Sequence, residues 1–225
     1  VGSGVTIGIA GIATFRTGRI DVGDSLFNTS IGQGAGDAYT TGANNTAVGY
    51  AALTANTTAS FNTAVGRNAL DANTTGAENT SVGANALGAN VSGNYNVAVG
   101  VNALEDNTGS SNVAVGYKAL EDNTTGTYNV SVGGYSLDAN TTGSYNTALG
   151  QSALGANTTG AENTAVGRNA LTANTTANNN TAIGNYSLDA NTTGVANVGV
   201  GASSLGANTT GGNNTAVGTW ALQLN

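Results

Sequence analysis

Hydrophobic and polar positions recur along this chain with a period of 17 residues. From Asn28 onward the sequence consists of copies of one unit, for example NTAVGYAALTANTTASF, with eleven copies and a partial twelfth that ends at Asn225. One copy, residues 96–111, has 16 residues, and the missing residue falls in its polar stretch. The next copy resumes in phase. The strand-like part of the unit therefore keeps its length, whereas the polar part tolerates a change.

The first five positions of the unit alternate with the period of a β-strand. Counted from its first Asn, the unit has Asn at position 1, Thr or Val at position 2, and a small residue at position 3. Val, Ile or Leu follows at position 4 and Gly at position 5. This alternation predicts that positions 2 and 4 face the core, while positions 1, 3 and 5 face outward. Gly at position 5 is suited to a sharp corner.

The rest of the unit completes one turn of a solenoid. Positions 6–9 are predicted to form a second short strand that carries the Leu of position 9 inward, and Asn-Thr-Thr-Gly at positions 12–15 is typical of a turn. One unit cannot bury its own aliphatic side chains, but stacked units can. The sequence therefore predicts an all-β fold, a parallel β-solenoid (β-roll) of 17-residue rungs.

Stacking at about 4.8 Å would also place identical Asn side chains above one another, where amide ladders form. Two rungs represent the predicted structural ladder: Asn45, Val48, Gly49, Leu53, Asn56, Asn62, Val65, Gly66, Leu70 and Asn73.

The chain divides into two parts. Residues 1–27 lack the repeat and predict an N-terminal β segment, either an attachment or cap module or a degenerate first rung. Residues 28–225 form the repeat solenoid. In the last copy Trp220 and Leu224 are bulky apolar residues, which predicts a cap over the open core or a contact to a further domain or subunit.

Each rung offers a small core for 17 ordered residues, because only about two of its side chains are large and aliphatic. A second surface therefore has to be buried. The small residues at positions 1, 3 and 5 predict a flat face at which another copy of the chain packs, and threefold symmetry is one arrangement of such copies.

Composition excludes several kinds of chemistry. The chain has no His, Cys, Met or Pro, which removes the usual zinc sites, Ser-His-Asp or Cys-His nucleophiles and disulfides. A net charge of −7 has the wrong sign for a nucleic-acid-binding surface. No apolar run approaches the ~18 residues of a membrane span. We therefore predict no enzymatic activity, no cofactor, no nucleic-acid partner and no membrane insertion in this segment.

Acidic residues provide one candidate site. Glu105, Asp106, Glu121 and Asp122 lie in consecutive rungs, so four carboxylates could cluster and hold a Ca²⁺ ion. The alternative is a solvated acidic edge next to Lys118.

Aromatic residues provide a second candidate site. Tyr95, Tyr128 and Tyr145 share position 17 with Phe61, and exposed rings among Asn and Thr can stack on sugars. These tyrosines are therefore possible ligand-facing residues; alternatively, they cover loop backbone and neighbouring chains.

The NTAVGxxAL…NTTG unit resembles the repeats of phage tail fibres and related bacterial surface proteins. It is also similar to the head repeats of trimeric autotransporter adhesins, whose shorter units carry an N-(S/T)-x-(V/I)-G core. The opening VGSGVTIGIAGIATFRTGRIDVG resembles segments of fibre proteins from marine cyanobacterial phages. The resemblance covers residues 28–225 and implies a trimeric, left-handed parallel β-roll in which three chains share an axis.

These observations favour a structural fibre segment of a virion tail fibre or extracellular filament, which provides reach and host-surface glycan attachment. Its partner would be itself, as a homo-trimer or other homo-oligomer, together with a host glycan, and its location would be extracellular. The head or passenger region of a bacterial trimeric adhesin is the alternative. An ice- or glycan-binding solenoid is a third hypothesis. The inward position predicted for residue 2 argues against ice binding, which needs a regular array of Thr on an exposed face.

Overall fold

A computed structural model describes residues 25–224, which form one parallel β-solenoid with a single strand in each rung. Residues 1–24, and with them most of the predicted N-terminal β segment, lie outside the described residues. The strands are β1 (Thr29–Ile31), β2 (Thr46–Val48), β3 (Thr63–Val65), β4 (Thr80–Val82), β5 (Val97–Val99), β6 (Val113–Val115), β7 (Val130–Val132), β8 (Thr147–Leu149), β9 (Thr164–Val166), β10 (Thr181–Ile183), β11 (Val198–Val200) and β12 (Thr215–Val217).

All twelve strands belong to one sheet, in which each strand pairs in parallel with the strand that follows it in sequence. Equivalent positions of the repeat pair with each other, as Ala47 with Ala64. The 16-residue copy keeps this register, because Val97 still pairs with Val113. The predicted parallel β-solenoid of 17-residue rungs is confirmed, and so is the assignment of the missing residue to the loop.

The faces of the strand are the reverse of the prediction. In all rungs from the second onward the residue at position 3 is buried, whereas the aliphatic residue at position 4 is partly exposed. A narrow interior explains this reversal. A Cβ atom added to Gly199 at position 3 would lie only 2.8 Å from Ser187 Oγ and 2.9 Å from Ser204 Oγ. The interior therefore accepts small residues at position 3, and the larger side chains of positions 2 and 4 face outward.

Positions 6–9 form turns rather than the predicted second strand. Residues at positions 7 and 9 have positive φ angles, for example 55° at Ala51 and 51° at Leu53, and this left-handed backbone cannot continue an extended strand. The turn does carry Leu inward as predicted, since Leu53 is fully buried with Ala52. Hydrogen bonds between rungs hold the turn, such as Leu53 N–H donating to Ala69 O at 3.1 Å.

Gly at position 5 makes the predicted corner. Gly49 has a φ of 137° and Gly66 one of 144°, a region that side chains disfavour. A Cβ atom at Gly49 would also overlap the carbonyl group of Gly66 in the next rung. Both the backbone angle and the close stacking of the rungs therefore require glycine here.

Two ladders of buried Asn run through the solenoid. At position 1, Asn62 N–H donates to Asn45 Oδ1 of the preceding rung at 2.9 Å, and Asn62 Nδ2 donates to Gly76 O. At position 12, Asn73 Nδ2 donates to Asn56 Oδ1 at 2.9 Å and also to Gly76 O. The predicted amide ladders are thus confirmed. The position 1 side chains bond mainly to backbone, which explains why this position is always Asn.

The 16-residue rung interrupts the second ladder. Asn107 Nδ2 donates to Gly109 O within its own rung, and Asn90 Oδ1 is buried and accepts no hydrogen bond from any group in residues 25–224. The loop backbone compensates, because Thr108 N–H and Gly109 N–H both donate to Thr124 O, at 2.8 and 3.1 Å. The missing residue therefore costs one side-chain contact and leaves the stacking of the backbone intact.

Candidate functional site

The outer sheet face consists of the side chains at positions 2 and 4 of β1–β12. Only Thr and Val occur at position 2, and only Val, Ile and Leu at position 4, so none of the twelve strands places a charge on this face. Position 4 side chains in the middle of the sheet are about two-fifths exposed, as at Val82 and Ile183. Twelve strands of three residues give a strip of roughly 50 by 10 Å.

Position 4 gives this strip a continuous row of aliphatic side chains, beside which Thr or Val stands at position 2. An exposed apolar patch of a few hundred Å² is often a functional surface. The sequence prediction placed the associating face at positions 1, 3 and 5, and that placement is wrong because those residues line the interior. No copy carries a charge on either face of the strand, so the sequence offers no signal that separates the outer face from the interior.

The predicted acidic site forms a charged edge rather than a convergent pocket. Glu121 Oε2 lies 3.0 Å from Lys118 Nζ, and Asn102 Nδ2 donates to Glu121 Oε1 at 3.1 Å. Partial burial raises the pKa of Glu105, and repulsion by Glu121 and Asp106 raises it further. Within residues 25–224 no group of three or more acidic side chains is arranged to hold a metal ion.

The same effects act on the fourth carboxylate of the predicted site. Burial is the main cause that raises the pKa of Asp122, followed by repulsion from Glu121 and Asp106. A shallow groove of about 430 Å³ lies beside Glu105 and Asp106 and is otherwise lined by Arg67, Asn68, Asp71, Asn85, Gly88 and Ala89. This groove lacks apolar walls that would seat a substrate.

The aromatic residues of position 17 form a column on the surface, here called the aromatic column: Phe61, Tyr95, Tyr128 and Tyr145. Each ring-bearing residue is between 55% and 60% exposed. Tyr128 and Tyr145 occupy adjacent rungs and stack face to face, with ring centroids 5.1 Å apart and planes inclined by 7°. The structure therefore brings two of the three predicted ligand-facing tyrosines into contact, and Tyr95 lies two rungs from Tyr128.

A second aromatic group lies at positions 6 and 7. Tyr117 and Tyr135 meet edge to face with centroids 5.3 Å apart, and Lys118 Nζ lies 5.9 Å from the Tyr117 ring centroid. At the end of the solenoid Trp220 is 64% and Leu224 90% exposed, so neither side chain covers the core of the single chain. The last rung pairs with the preceding one through the same main-chain hydrogen bonds as the other rungs, such as Leu205 N–H donating to Ala221 O at 2.9 Å.

Comparisons with protein-family models, with curated proteins and with solved structures find no match to this chain. Among residues 25–224 no helix has the length and apolar character needed to cross a bilayer.

Proposed function

We propose that this chain is a structural segment of an extracellular fibre, such as a virion tail fibre, in which copies of the chain associate through the outer sheet face. The observation that carries the proposal is the uncharged, partly exposed aliphatic strip that follows all twelve strands. A rigid repeat gives reach, since twelve rungs span roughly 50 Å along the solenoid axis.

The shape of the outer sheet face favours three chains around a common axis. Each strand has three residues, so the strip is only about 10 Å wide. Two such strips would leave much of each aliphatic side chain at the edge, whereas three can close around one axis and exclude water from all of them. This arrangement agrees with the trimeric, left-handed β-roll that the repeat motif implies.

Lysine substitutions on the outer sheet face test this proposal. We expect the parent to have the mass of three 21.8 kDa chains by light scattering, and the triple variant Val82→Lys, Val99→Lys, Val115→Lys to have the mass of one. Burying an unpaired ammonium in an apolar interface is costly, which is why assembly should fail.

The matched control adds the same charge on exposed loop positions, in the variant Thr75→Lys, Ser92→Lys, Thr125→Lys. It should assemble like the parent. A monomeric parent, or equal masses for the parent and the outer-face variant, would contradict association through this face.

The head region of a bacterial trimeric adhesin would use the same assembly on a cell surface. A membrane anchor encoded beside this segment would favour the adhesin, and a neighbouring virion attachment domain would favour the tail fibre.

Ice binding is a second candidate, because the observed orientation removes the argument against it. Position 2 faces outward, and eight of the twelve rungs carry Thr there. An ice-binding face has to be free of a second copy, so the two functions compete for one surface. Thermal hysteresis in a monomeric parent would support ice binding, and its absence in an assembled parent would support the fibre.

A further inference from the structure

The aromatic column contains a gap at Ser111. Tyr95 and Tyr128 lie two rungs apart, and Ser111 occupies the same position in the rung between them. The three residues share one backbone conformation, with φ angles of 60°, 59° and 61°. The backbone stacking also continues through the gap, because Ser111 N–H donates to Asn94 O at 2.9 Å and Tyr128 N–H to Ser110 O at 3.4 Å.

The width of this gap matches one further ring. Two rung spacings separate the backbones of Tyr95 and Tyr128 by about 9.5 Å, so a further ring between two parallel tyrosine rings would lie about 4.8 Å from each. That distance falls within the 4.5–7 Å range of favourable ring stacking. The contact between Tyr128 and Tyr145, at 5.1 Å, shows that rings in this column do stack at one rung spacing.

We propose that the Ser111 gap binds one neutral pyranose ring of a surface glycan, sandwiched between Tyr95 and Tyr128. The proposal goes beyond the structural role of the fibre and gives it a ligand. A pyranose offers an apolar C–H face to each tyrosine and hydroxyl groups around its edge. A ligand with a single apolar face would contact only one of the two tyrosine rings.

Polar groups surround the gap and suit the hydroxyl edge of a sugar. Ser111 supplies a hydroxyl group that can donate and accept. Ser110 Oγ accepts a hydrogen bond from Asn94 N–H at 3.0 Å, so the hydroxyl proton of Ser110 points away from that N–H group and can be donated to another acceptor. Asn94 Oδ1 accepts from Ala77 N–H of the preceding rung at 2.7 Å, and the amide nitrogen of the same side chain is a hydrogen-bond donor.

Charge selects the class of sugar. The net charge of −7 disfavours acidic sugars such as uronic and sialic acids. No cation stands at positions 16 or 17 of any rung to pair with a carboxylate. Two other single-rung gaps interrupt the column. Glu78, between Phe61 and Tyr95, has a charge that the Ser111 gap lacks, and Asn44 lies between Phe27 and Phe61, whose rings carry no hydroxyl group.

The test is a titration of the full chain with the methyl pyranosides of glucose, galactose, mannose and N-acetylglucosamine, followed by NMR of the tyrosine rings. We expect saturable shifts of the Tyr95 and Tyr128 ring signals with at least one sugar, at a Kd on the order of 1 mM. No saturable shift with any of the four sugars overturns the proposal.

A variant that fills the gap gives the sharper comparison. Ser111→Tyr continues the stack with the protein's own ring, at a position where four other rungs already carry an aromatic residue, and should weaken binding at least about tenfold. Asn179→Tyr is the control, because it adds a ring to the same column between Glu162 and Ala196. It should bind like the parent. If Ser111→Tyr and the parent bind the sugar with equal Kd, the proposed site between Tyr95 and Tyr128 is wrong.

Light scattering on the same samples separates this proposal from fibre assembly. A sugar-binding parent that is monomeric would contradict assembly and leave the proposed sugar site supported. A parent that assembles but does not bind sugar would contradict the proposed sugar site and leave the assembly proposal supported. Tyr128→Ala, which removes one wall without adding bulk, should also lose binding, and retained binding in this variant would count against the sandwich.

Discussion

The inner and outer faces of the same strand carry side chains of different size: small residues face the interior, and larger aliphatic residues face outward. Ala114 points inward and is fully buried, whereas its neighbour Val115 points outward and is 37% exposed. In most sheets the larger aliphatic residue would mark the core. Here one 17-residue rung encloses so little space that small residues and Leu fill it, and the larger residue of the strand lies on the outer surface.

Polar groups follow the same division. Inside, hydroxyl and amide groups form hydrogen bonds, with Asn90 Oδ1 as an exception: Ser81 Oγ donates to Ala86 O at 2.7 Å, and Asn79 Nδ2 donates to the loop carbonyl group of Gly93. Outside, the strand presents aliphatic side chains and Thr. The interior thus depends on hydrogen bonds between rungs, while the outer surface of the strands carries the larger aliphatic side chains.

Deleting one residue from the strand should have the largest effect. Deletion of Ala148 would place Leu149 at the narrow position 3 and Gln151 at the corner that requires Gly. We expect a loss of roughly 4 kcal/mol or more in the free energy of unfolding. Deletion of Thr142 from the loop is the control. It should cost about 1 kcal/mol, because Asn123 Oδ1 would lose the bond from Asn140. Similar losses in thermal melts of the two variants would contradict the division of strand and loop.

Enlarging the inner wall should come next. Ala114→Leu is expected to destabilise the chain itself by about 3 kcal/mol, because overpacking a closed interior forces the rung apart. Val115→Leu, one residue further on, should change the free energy of unfolding by less than about 0.5 kcal/mol. Chemical denaturation of both variants makes the comparison.

Removing one amide from the first ladder should have an intermediate effect. Asn79 Oδ1 accepts from Asn96 N–H at 2.9 Å, and Asn79 Nδ2 donates to Gly93 O at 2.8 Å. Asn79→Ala leaves the buried Asn96 N–H without a partner and should cost about 2–3 kcal/mol. Asn185→Ala, at an exposed position 6, should cost almost nothing. If the melting temperatures of the two variants agree, the ladder does not stabilise the fold.

Completing the short rung should stabilise the protein slightly. A Thr inserted between Thr108 and Gly109 restores the 17-residue length and should bring Asn107 Nδ2 within reach of Asn90 Oδ1. We expect a gain of about 1 kcal/mol, the net value of one buried hydrogen bond. The same insertion between Thr124 and Thr125, where the rung is already complete, should give no gain. Denaturation of both insertion variants decides whether the interrupted ladder costs stability.

Acidification should give the smallest effect. The pKa values of Glu105 and Asp122 are raised above their ordinary 4.5 and 3.8 in the folded chain, first by burial and then by repulsion from Glu121 and Asp106. Their ionised forms are therefore less favourable in the folded than in the unfolded state. Stability should rise as the pH falls from about 6 to about 4, because the folded state binds more protons in that window. Glu105→Gln should show a smaller rise in melting temperature, and identical pH profiles for the two proteins would contradict this account.

Much of the fold could be predicted from the repeat. The phased columns of Asn, Gly and Leu indicated the rung, the corner at Gly49, the inward side chain of Leu53 and the amide ladders, because each depends on local geometry repeated many times. Which of the two strand faces is buried could not be predicted from these columns. An alternation of period two is symmetric, and the choice of face depends on the space inside the circuit, which only the closed rung defines.

The turn at positions 6–9 was missed for a related reason. Leu53 and Ala51 adopt left-handed angles that neither residue prefers, and hydrogen bonds from adjacent rungs impose them. The candidate surfaces were predicted in part. The shared column of Tyr128 and Tyr145 followed from their common repeat position, whereas the charged edge around Glu121 depends on side-chain rotamers.

The 16-residue rung has a consequence for how copies of the chain align. A stack of identical rungs looks the same after a shift of one rung along its axis, so neighbouring chains could slide past one another and lose contacts only at their ends. Residues 96–111 break this translational symmetry, because only at that level is the loop shorter and the second Asn ladder interrupted. In the proposed assembly of parallel chains the short rungs would match only when all chains are level, and residues 96–111 would then set the alignment of the chains.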